Sequence, residues 1–129
     1  MKKTMLATLL ALTSATALAG SKWYYNVAVY TSASEIRAVG DLATVRNSPD
    51  STQYIFCEIQ AWSTGTSQVM CAANTIGNTS VYCYSMNEEL KKVVAGITPN
   101  SLINFAVDPA SPTTCTRISV RAGSVFAVN

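Results

Sequence analysis

The stretch that decides the fold is residues 52–86, TQYIFCEIQAWSTGTSQVMCAANTIGNTSVYCYSM. It contains three strand-like runs, at 52–62, 67–74 and 80–86. The turns between them carry Gly65 in one case and Gly77 with Asn78 in the other. Short turns with Gly or Asn between β-branched and aromatic runs are typical of antiparallel hairpins. The stretch therefore predicts a three-stranded antiparallel meander.

Side-chain alternation places three of the four cysteines on one face of this meander. If both turns are three-residue loops, Cys57, Cys71 and Cys83 lie side by side on adjacent strands. The same face carries Ile55 and Val69, which are apolar. It is predicted to be the buried face.

The opposite face of the meander is rich in aromatic side chains and has two interpretations. It could be an exposed platform that binds a protein or a glycan, or it could be covered by a helix predicted at 87–96. The second interpretation is preferred, because so short a helix is marginal alone and needs a sheet to pack on. Trp62, next to a turn, is expected to stay exposed. The residues of this face are Tyr54, Phe56, Glu58, Gln60, Trp62, Met70, Tyr82 and Tyr84.

The predicted helix begins with a capping-box pattern, Ser85 followed by Glu88, and Gly96 with Pro99 ends it. Its apolar residues recur at helical spacing and predict one packed face. These residues are Met86, Leu90, Val93, Val94 and Ile97.

Strands are also predicted on both sides of this central region. Residues 22–31 form an aromatic, β-branched strand that is apolar on both faces. We expect it to be an internal strand buried between layers; the alternative is insertion into a neighbouring subunit's sheet to make a fibre. Residues 32–50 predict a short helical turn or a bent strand. Further strands are predicted at 101–107, 116–121 and 124–128.

The first 19 or so residues have the form of a secretory signal peptide. Lys2 and Lys3 precede an apolar run, and Ala17 and Ala19 supply small residues at the −3 and −1 positions. Cleavage would leave residues 20–129 as a single β-rich domain, secreted to the periplasm or the extracellular space. The apolar run is too short to span a membrane. Loss of the two lysines brings the domain close to neutral, so no basic footprint for nucleic acid is expected.

Four cysteines in an exported chain predict two disulfides. A metal site is the rival, but the spacing contains no CxxC pair and the chain has no histidine. We therefore predict no bound metal. The spacing leaves three pairings open. Cys57–Cys115 with Cys71–Cys83 is preferred, because the first bond would tie the C-terminal strand to the meander.

No catalytic constellation is predicted. Without histidine the common Ser-His and Cys-His nucleophile pairs are excluded. Asp41, Asp50 and Glu58 could supply a carboxylate pair, but nothing in their spacing brings them together. Glu88 and Glu89 diverge on a helix. The sequence therefore predicts a protein that is not an enzyme and has no cofactor.

The polar segment from Arg46 to Gln53 has two interpretations. In one it is a ligand loop with Arg46 and Asp50 as contacts. In the preferred one it is a structural turn, in which Asn47 or Asp50 caps backbone amides and Arg46 pairs with Asp50.

The run RNSPDSTQYIFC at 46–57 resembles an RNSxDxxQYIGC-like motif in a group of small secreted bacterial proteins of unknown function. CTRISV at 115–120 is similar to the CxxIxV segment of that group. Phe56 departs from the motif, which has Gly there. The resemblance implies no activity, cofactor or site.

These observations predict an all-β or β-dominated α+β fold, an antiparallel meander or sandwich with one short packed helix and two disulfides. The expected function is that of a secreted, non-enzymatic binding or surface-interaction protein for an unknown protein or glycan. The alternatives are a self-assembling extracellular subunit and a small secreted enzyme or enzyme inhibitor. The candidate binding residues are Trp62, Tyr54, Tyr82, Tyr84, Arg46 and Asp50.

Overall fold

The computed structural model describes residues 22–125, which form seven strands and two helices. The predicted signal peptide and most of the predicted strand at 124–128 lie outside this range. The elements are β1 (Ala28–Thr31), β2 (Ile36–Asp41), α1 (Leu42–Arg46), β3 (Tyr54–Ala61), β4 (Ser67–Asn74), β5 (Ser80–Ser85), α2 (Glu88–Ala95), β6 (Leu102–Asp108) and β7 (Ser111–Arg121). The predicted β-dominated fold with two disulfides is confirmed, with α1 as a second helix. Within 22–125, no helix is long and apolar enough to cross a membrane.

The strands form one sheet in the order β1-β2-β6-β7-β5-β4-β3. Neighbouring strands are antiparallel except β5 and β7, which run parallel and are paired at a single position, Tyr84 with Thr114. This seam divides the sheet into two halves, β1-β2-β6-β7 and β5-β4-β3. The halves curl towards each other, so that a Cβ atom built on Gly40 in β2 would lie 3.0 Å from Ile55 Cγ2 in β3. The core therefore lies between the two halves.

The predicted meander is confirmed, and both of its turns are the three-residue loops that the alignment of the cysteines requires. In the first turn the N–H of Gly65 donates to the carbonyl of Trp62, and Gly65 has a φ of 89°. In the second turn the N–H of Asn78 donates to the carbonyl of Thr75, and Asn78 has a φ of 64°. A type I turn followed by one left-handed residue is a common three-residue hairpin, and Gly and Asn tolerate that conformation best.

Helix α2 packs on the inner side of the sheet. Val94 belongs to the buried core, and Leu90, Val93 and Ile97 pack against it. Met86, predicted on the packed face, is instead 63% exposed, because it precedes the helix. The predicted cap at Ser85 is also wrong: the Asn87 side chain accepts from the N–H groups of the second and third helical residues.

The meander cysteines lie opposite one another as predicted, but the preferred disulfide pairing is wrong. Cys57 bonds to Cys71, and their Cα atoms are 4.1 Å apart. That distance marks a non-hydrogen-bonded pair, in which opposite side chains are closest. Because N–H and C=O directions alternate along a strand, Cys71 then forms the wider, hydrogen-bonded kind of pair with Cys83. The bond therefore forms on the β3 side of Cys71.

Cys83 bonds to Cys115 across the seam instead. Regular alternation along β7 would put Cys115 and Ile118, three residues apart, on opposite faces. The pairing of β7 with β6 shifts register and leaves Thr116 as an extra residue, so both side chains are buried in the core. This bulge is what brings Cys115 to Cys83.

The N-terminal strand is shorter than predicted and is not internal. β1 starts at Ala28 and lies at one end of the sheet, with β2 as its one partner strand. Before it, isolated backbone bonds hold the chain, from Trp23 N–H to the Val125 carbonyl (2.7 Å) and from Asp41 N–H to the Tyr25 carbonyl (2.9 Å). The expectation of an internal strand buried between layers is therefore wrong, because only one side of β1 is paired and its residues are half-buried or exposed.

Candidate functional site: an aromatic groove

A groove runs over the outer face of β3, β4 and β5, with a volume of about 460 Å³. The strand register explains its shape, because Phe56, Ala72 and Tyr82 lie in one row across the three strands. Ala72 is small and forms the floor, while larger rings stand on either side. Hereafter this surface is the aromatic groove. It is lined by Tyr54, Phe56, Met70, Ala72, Tyr82 and Tyr84.

The two walls of the aromatic groove stand on β3 and β5, which are separated by two strand spacings or roughly 10 Å. On β3 the ring centroids of Tyr54 and Phe56 are 6.1 Å apart, and their planes are tilted by 35°. On β5 the rings of Tyr82 and Tyr84 are 6.0 Å apart and meet edge to face at 74°. The four rings are therefore inclined to one another along the two walls and do not form a flat platform.

Helix α2 does not cover this surface, so the preferred prediction of a covered face is wrong. The helix packs on the opposite face, the one with the disulfide-bonded cysteines, and Tyr82 remains 48% exposed. The sequence carries a signal for this choice. Glu58 and Gln60 interrupt the aromatic face, and burying them under an aliphatic helix would cost free energy without hydrogen-bond partners.

A chain of polar side chains borders the aromatic groove on β3 and β4. Gln60 Nε2 donates to Glu58 Oε1 (2.6 Å), and Gln68 Nε2 donates to Gln60 Oε1 (3.0 Å). Trp62 follows on the same side at the end of β3 and is 49% exposed, as predicted. Trp62 does not line the groove itself, and none of the six lining residues is charged.

Neither Arg46 nor Asp50 lines the aromatic groove, and Asp50 belongs to a structural turn. Asp50 accepts from the backbone N–H groups of Thr52 (2.7 Å) and Gln53 (3.1 Å), as the preferred interpretation predicts. The N–H of Thr52 is the main cause that holds the pKa of Asp50 below its ordinary value. The predicted pair with Arg46 is wrong: Arg46, at the end of α1, donates to the carbonyl of Pro99 instead (3.1 Å).

The carboxylates considered for catalysis have separate local partners. Asp41 is buried and caps α1, where it accepts from the Ala43 N–H and the Thr44 hydroxyl. Glu88 and Glu89 lie in the first turn of α2 and pair with lysines three residues on. Residues 22–125 contain no group of three His, Cys, Asp or Glu side chains arranged to hold a metal.

Three of the six groove residues, Tyr54, Tyr82 and Tyr84, are among the candidate binding residues predicted from the sequence. Phe56 and Met70 are predicted on this face but not as binding residues, and the prediction does not include Ala72. The signal for Ala72 was present in the cysteine row. Once Cys57 is opposite Cys71 and Cys71 is opposite Cys83, Ala72 falls between Phe56 and Tyr82.

The side chains of the aromatic groove set the chemistry that it offers to a partner. Their chemistry is that of an interface core: exposed rings, one flexible thioether, a small floor and hydrogen-bonding tips on the tyrosines. No protein-family model, curated protein or solved structure matches this chain, so no relative supplies a function for the aromatic groove.

Proposed function

We propose that this chain is a secreted, non-enzymatic binding protein that holds an extended polypeptide segment in the aromatic groove. The observation that carries the proposal is the exposure of four aromatic rings on the outer face of the sheet while the helix packs elsewhere. Contiguous apolar surface of this kind marks an interaction site, and aromatic residues dominate binding energy at interfaces.

The groove geometry favours a polypeptide over a glycan. A sugar ring stacks best on a ring face presented flat, whereas Tyr82 and Tyr84 meet edge to face at 74°. Met70 adds a flexible apolar contact that adapts to irregular side chains. A segment running along β4 would place apolar or proline side chains between the walls, and tyrosine hydroxyls could bond its backbone.

Export is supported by the disulfides and by the sequence. Two disulfides and no free cysteine among the described residues suit an oxidising compartment. The signal-peptide pattern and the resemblance to small secreted bacterial proteins point the same way. A non-catalytic role is supported by the absence of histidine from the sequence and by the capping and ion-pair roles of its carboxylates.

Selection from a displayed library of random peptides tests the proposal. The mature protein is the bait, and enriched peptides are then titrated against Phe56→Ser and Tyr82→Ser variants. Each substitution is expected to weaken binding about tenfold or more, the loss typical of an interface hot spot. Tyr24→Ser is the matched control, because Tyr24 is 63% exposed and lies outside the groove.

The proposal is supported if the enriched peptides carry apolar or proline anchors, and if their binding is weakened by the two groove variants but not by Tyr24→Ser. It is overturned if selection yields no binders, or if binders ignore Phe56→Ser and Tyr82→Ser. Binding of a neutral oligosaccharide that is lost in the same variants would replace the polypeptide by a glycan.

A second candidate function is self-assembly, and the free edge of β3 favours it. β3 ends the sheet and pairs with β4 alone. The non-hydrogen-bonded geometry at Cys57–Cys71 turns the N–H and C=O groups of Ile55, Cys57 and Ile59 away from β4. Within residues 22–125 these groups have no backbone partner. Neither Pro nor Lys interrupts the strand, although both commonly protect such edges.

Two copies could pair their β3 strands about a two-fold axis and form one continuous sheet. Light scattering after size-exclusion chromatography, over increasing concentration, should then show a dimer. Ile59→Lys should keep the protein monomeric, because it places a charge at the edge. Ser34→Lys, in the exposed β1–β2 turn, should not change the dimer. A wild-type protein that stays monomeric throughout removes this candidate.

A further inference from the structure

A second cleft lies over β2, β6 and β7, on the outer face of the half of the sheet that does not carry the aromatic groove. Its volume is about 250 Å³, and its lining includes Tyr25, Tyr30, Arg37, Asn104 and Arg121. Hereafter it is the basic cleft. It shares no residue with the aromatic groove.

The two arginines of the basic cleft have no counter-ion among residues 22–125. Arg37 stacks on Tyr30, with its guanidinium carbon 4.9 Å from the ring centroid, and Arg121 is exposed. Two guanidinium groups in one cleft favour an anion, and the planar fork of arginine matches a carboxylate. The ion pairs of the described chain lie elsewhere: Glu88–Lys91, Glu89–Lys92 and Glu35–Arg117.

The basic cleft also holds the buried side-chain polar atoms of the described chain that lack a hydrogen-bond partner. They are Nε of Arg37, a donor, and Oδ1 of Asn104, an acceptor. Buried polar atoms are almost always hydrogen-bonded, so these two need an explanation. Asn104 lies opposite Val39, which places it diagonally next to Arg37 on the same face. The unpaired donor and the unpaired acceptor thus belong to diagonal neighbours on one face of the sheet.

We propose that the basic cleft binds a sugar acid. The carboxylate of the ligand accepts from Arg37 and Arg121, and a neighbouring hydroxyl donates to Asn104 Oδ1. The cleft is smaller than sites for drug-sized molecules, which fits a single sugar ring between Tyr25 and Tyr30. Because Arg37 Nε and Asn104 Oδ1 are buried, Arg37 leaves the Tyr30 ring as the ligand enters.

Isothermal titration with galacturonic acid, galactose and inorganic phosphate tests the proposal. Galacturonic acid should bind, and galactose, which lacks the carboxylate, should bind at least about tenfold more weakly. Arg121→Gln and Asn104→Asp should each lower the affinity for galacturonic acid about tenfold or more. Arg117→Gln is the matched control and should leave the affinity unchanged, since Arg117 pairs with Glu35 and does not line the cleft.

Movement of Arg37 gives a second readout. The ring signals of Tyr30 in the nuclear magnetic resonance spectrum should shift on addition of galacturonic acid, and should shift much less at the same concentration of galactose. Three results would overturn the proposal: no binding of galacturonic acid, equal binding of phosphate and galacturonic acid, or wild-type affinity in both cleft variants. The aromatic-groove variants Phe56→Ser and Tyr82→Ser should bind galacturonic acid normally, which separates this site from the other.

Discussion

The two disulfides are predicted to differ in their contribution to stability. Cys57–Cys71 closes 14 residues and Cys83–Cys115 closes 32. Loop-closure entropy alone gives about 3 kcal/mol for the first bond and about 3.7 kcal/mol for the second. The structure predicts a difference in stability between the two bonds that is larger than this entropic one. Cys57–Cys71 joins strands that are already paired along their whole length, whereas Cys83–Cys115 crosses a seam with one paired position.

The double variants Cys57→Ala/Cys71→Ala and Cys83→Ala/Cys115→Ala measure this difference. Urea unfolding with linear extrapolation should show the second variant to be less stable than the first by more than about 0.7 kcal/mol, the entropic difference alone. Thiol titration is the control for the pairing, because each double variant should have no free thiol. Equal stabilities, or a larger loss in the first variant, would refute the reasoning about the seam.

Three further predictions concern single residues. Gly40→Ala should destabilise the protein by about 1–3 kcal/mol in urea unfolding, because its Cβ would press on the opposite half of the sheet. Gly77→Ala should be close to neutral, because its Cβ would make only an ordinary contact with Thr75 Oγ1 at 3.7 Å. The pKa of Asp50 is lower in the folded protein than its ordinary value of 3.8. Its stabilising effect is therefore complete above pH 3.8 and is lost as the pH falls through the folded pKa. Asp50→Asn should therefore lose less stability than wild type when the pH falls below 3.8. Unfolding free energies that fall equally in both proteins over this pH range would contradict this. Asn87→Ala should cost about 1 kcal/mol by removing the cap of α2, measured by thermal unfolding, and an unchanged midpoint would show that the cap contributes nothing.

Local signals were enough to predict the centre of the fold. The β-rich runs and the Gly- and Asn-containing turns located β3, β4 and β5 to within two residues. Alternation then aligned Cys57, Cys71 and Cys83, because a hairpin with a known turn length has a fixed register. The packed face of α2 was also largely correct, since helical periodicity is a property of the segment itself.

Long-range geometry decided what the sequence left open. The disulfide pairing depended on which cysteine pairs are hydrogen-bonded and on the bulge at Thr116, neither of which has a local signature. The face that α2 covers depended on how the chain crosses the sheet after β5. The sequence therefore predicts the aromatic face as a possible platform, and Glu58 and Gln60 favour its exposure. The packing of Leu90, Val93 and Val94 against the face that carries the cysteines decides it.

The contact between Trp23 and Val125 has a practical consequence for handling the molecule. The N–H of one and the carbonyl of the other are 2.7 Å apart, so the two ends of the described chain leave from the same place. That place is on the half of the sheet that does not carry the aromatic groove. An affinity tag or solid support attached at either end would therefore leave the aromatic groove accessible. A circular permutant that joins the two ends would need only a short linker.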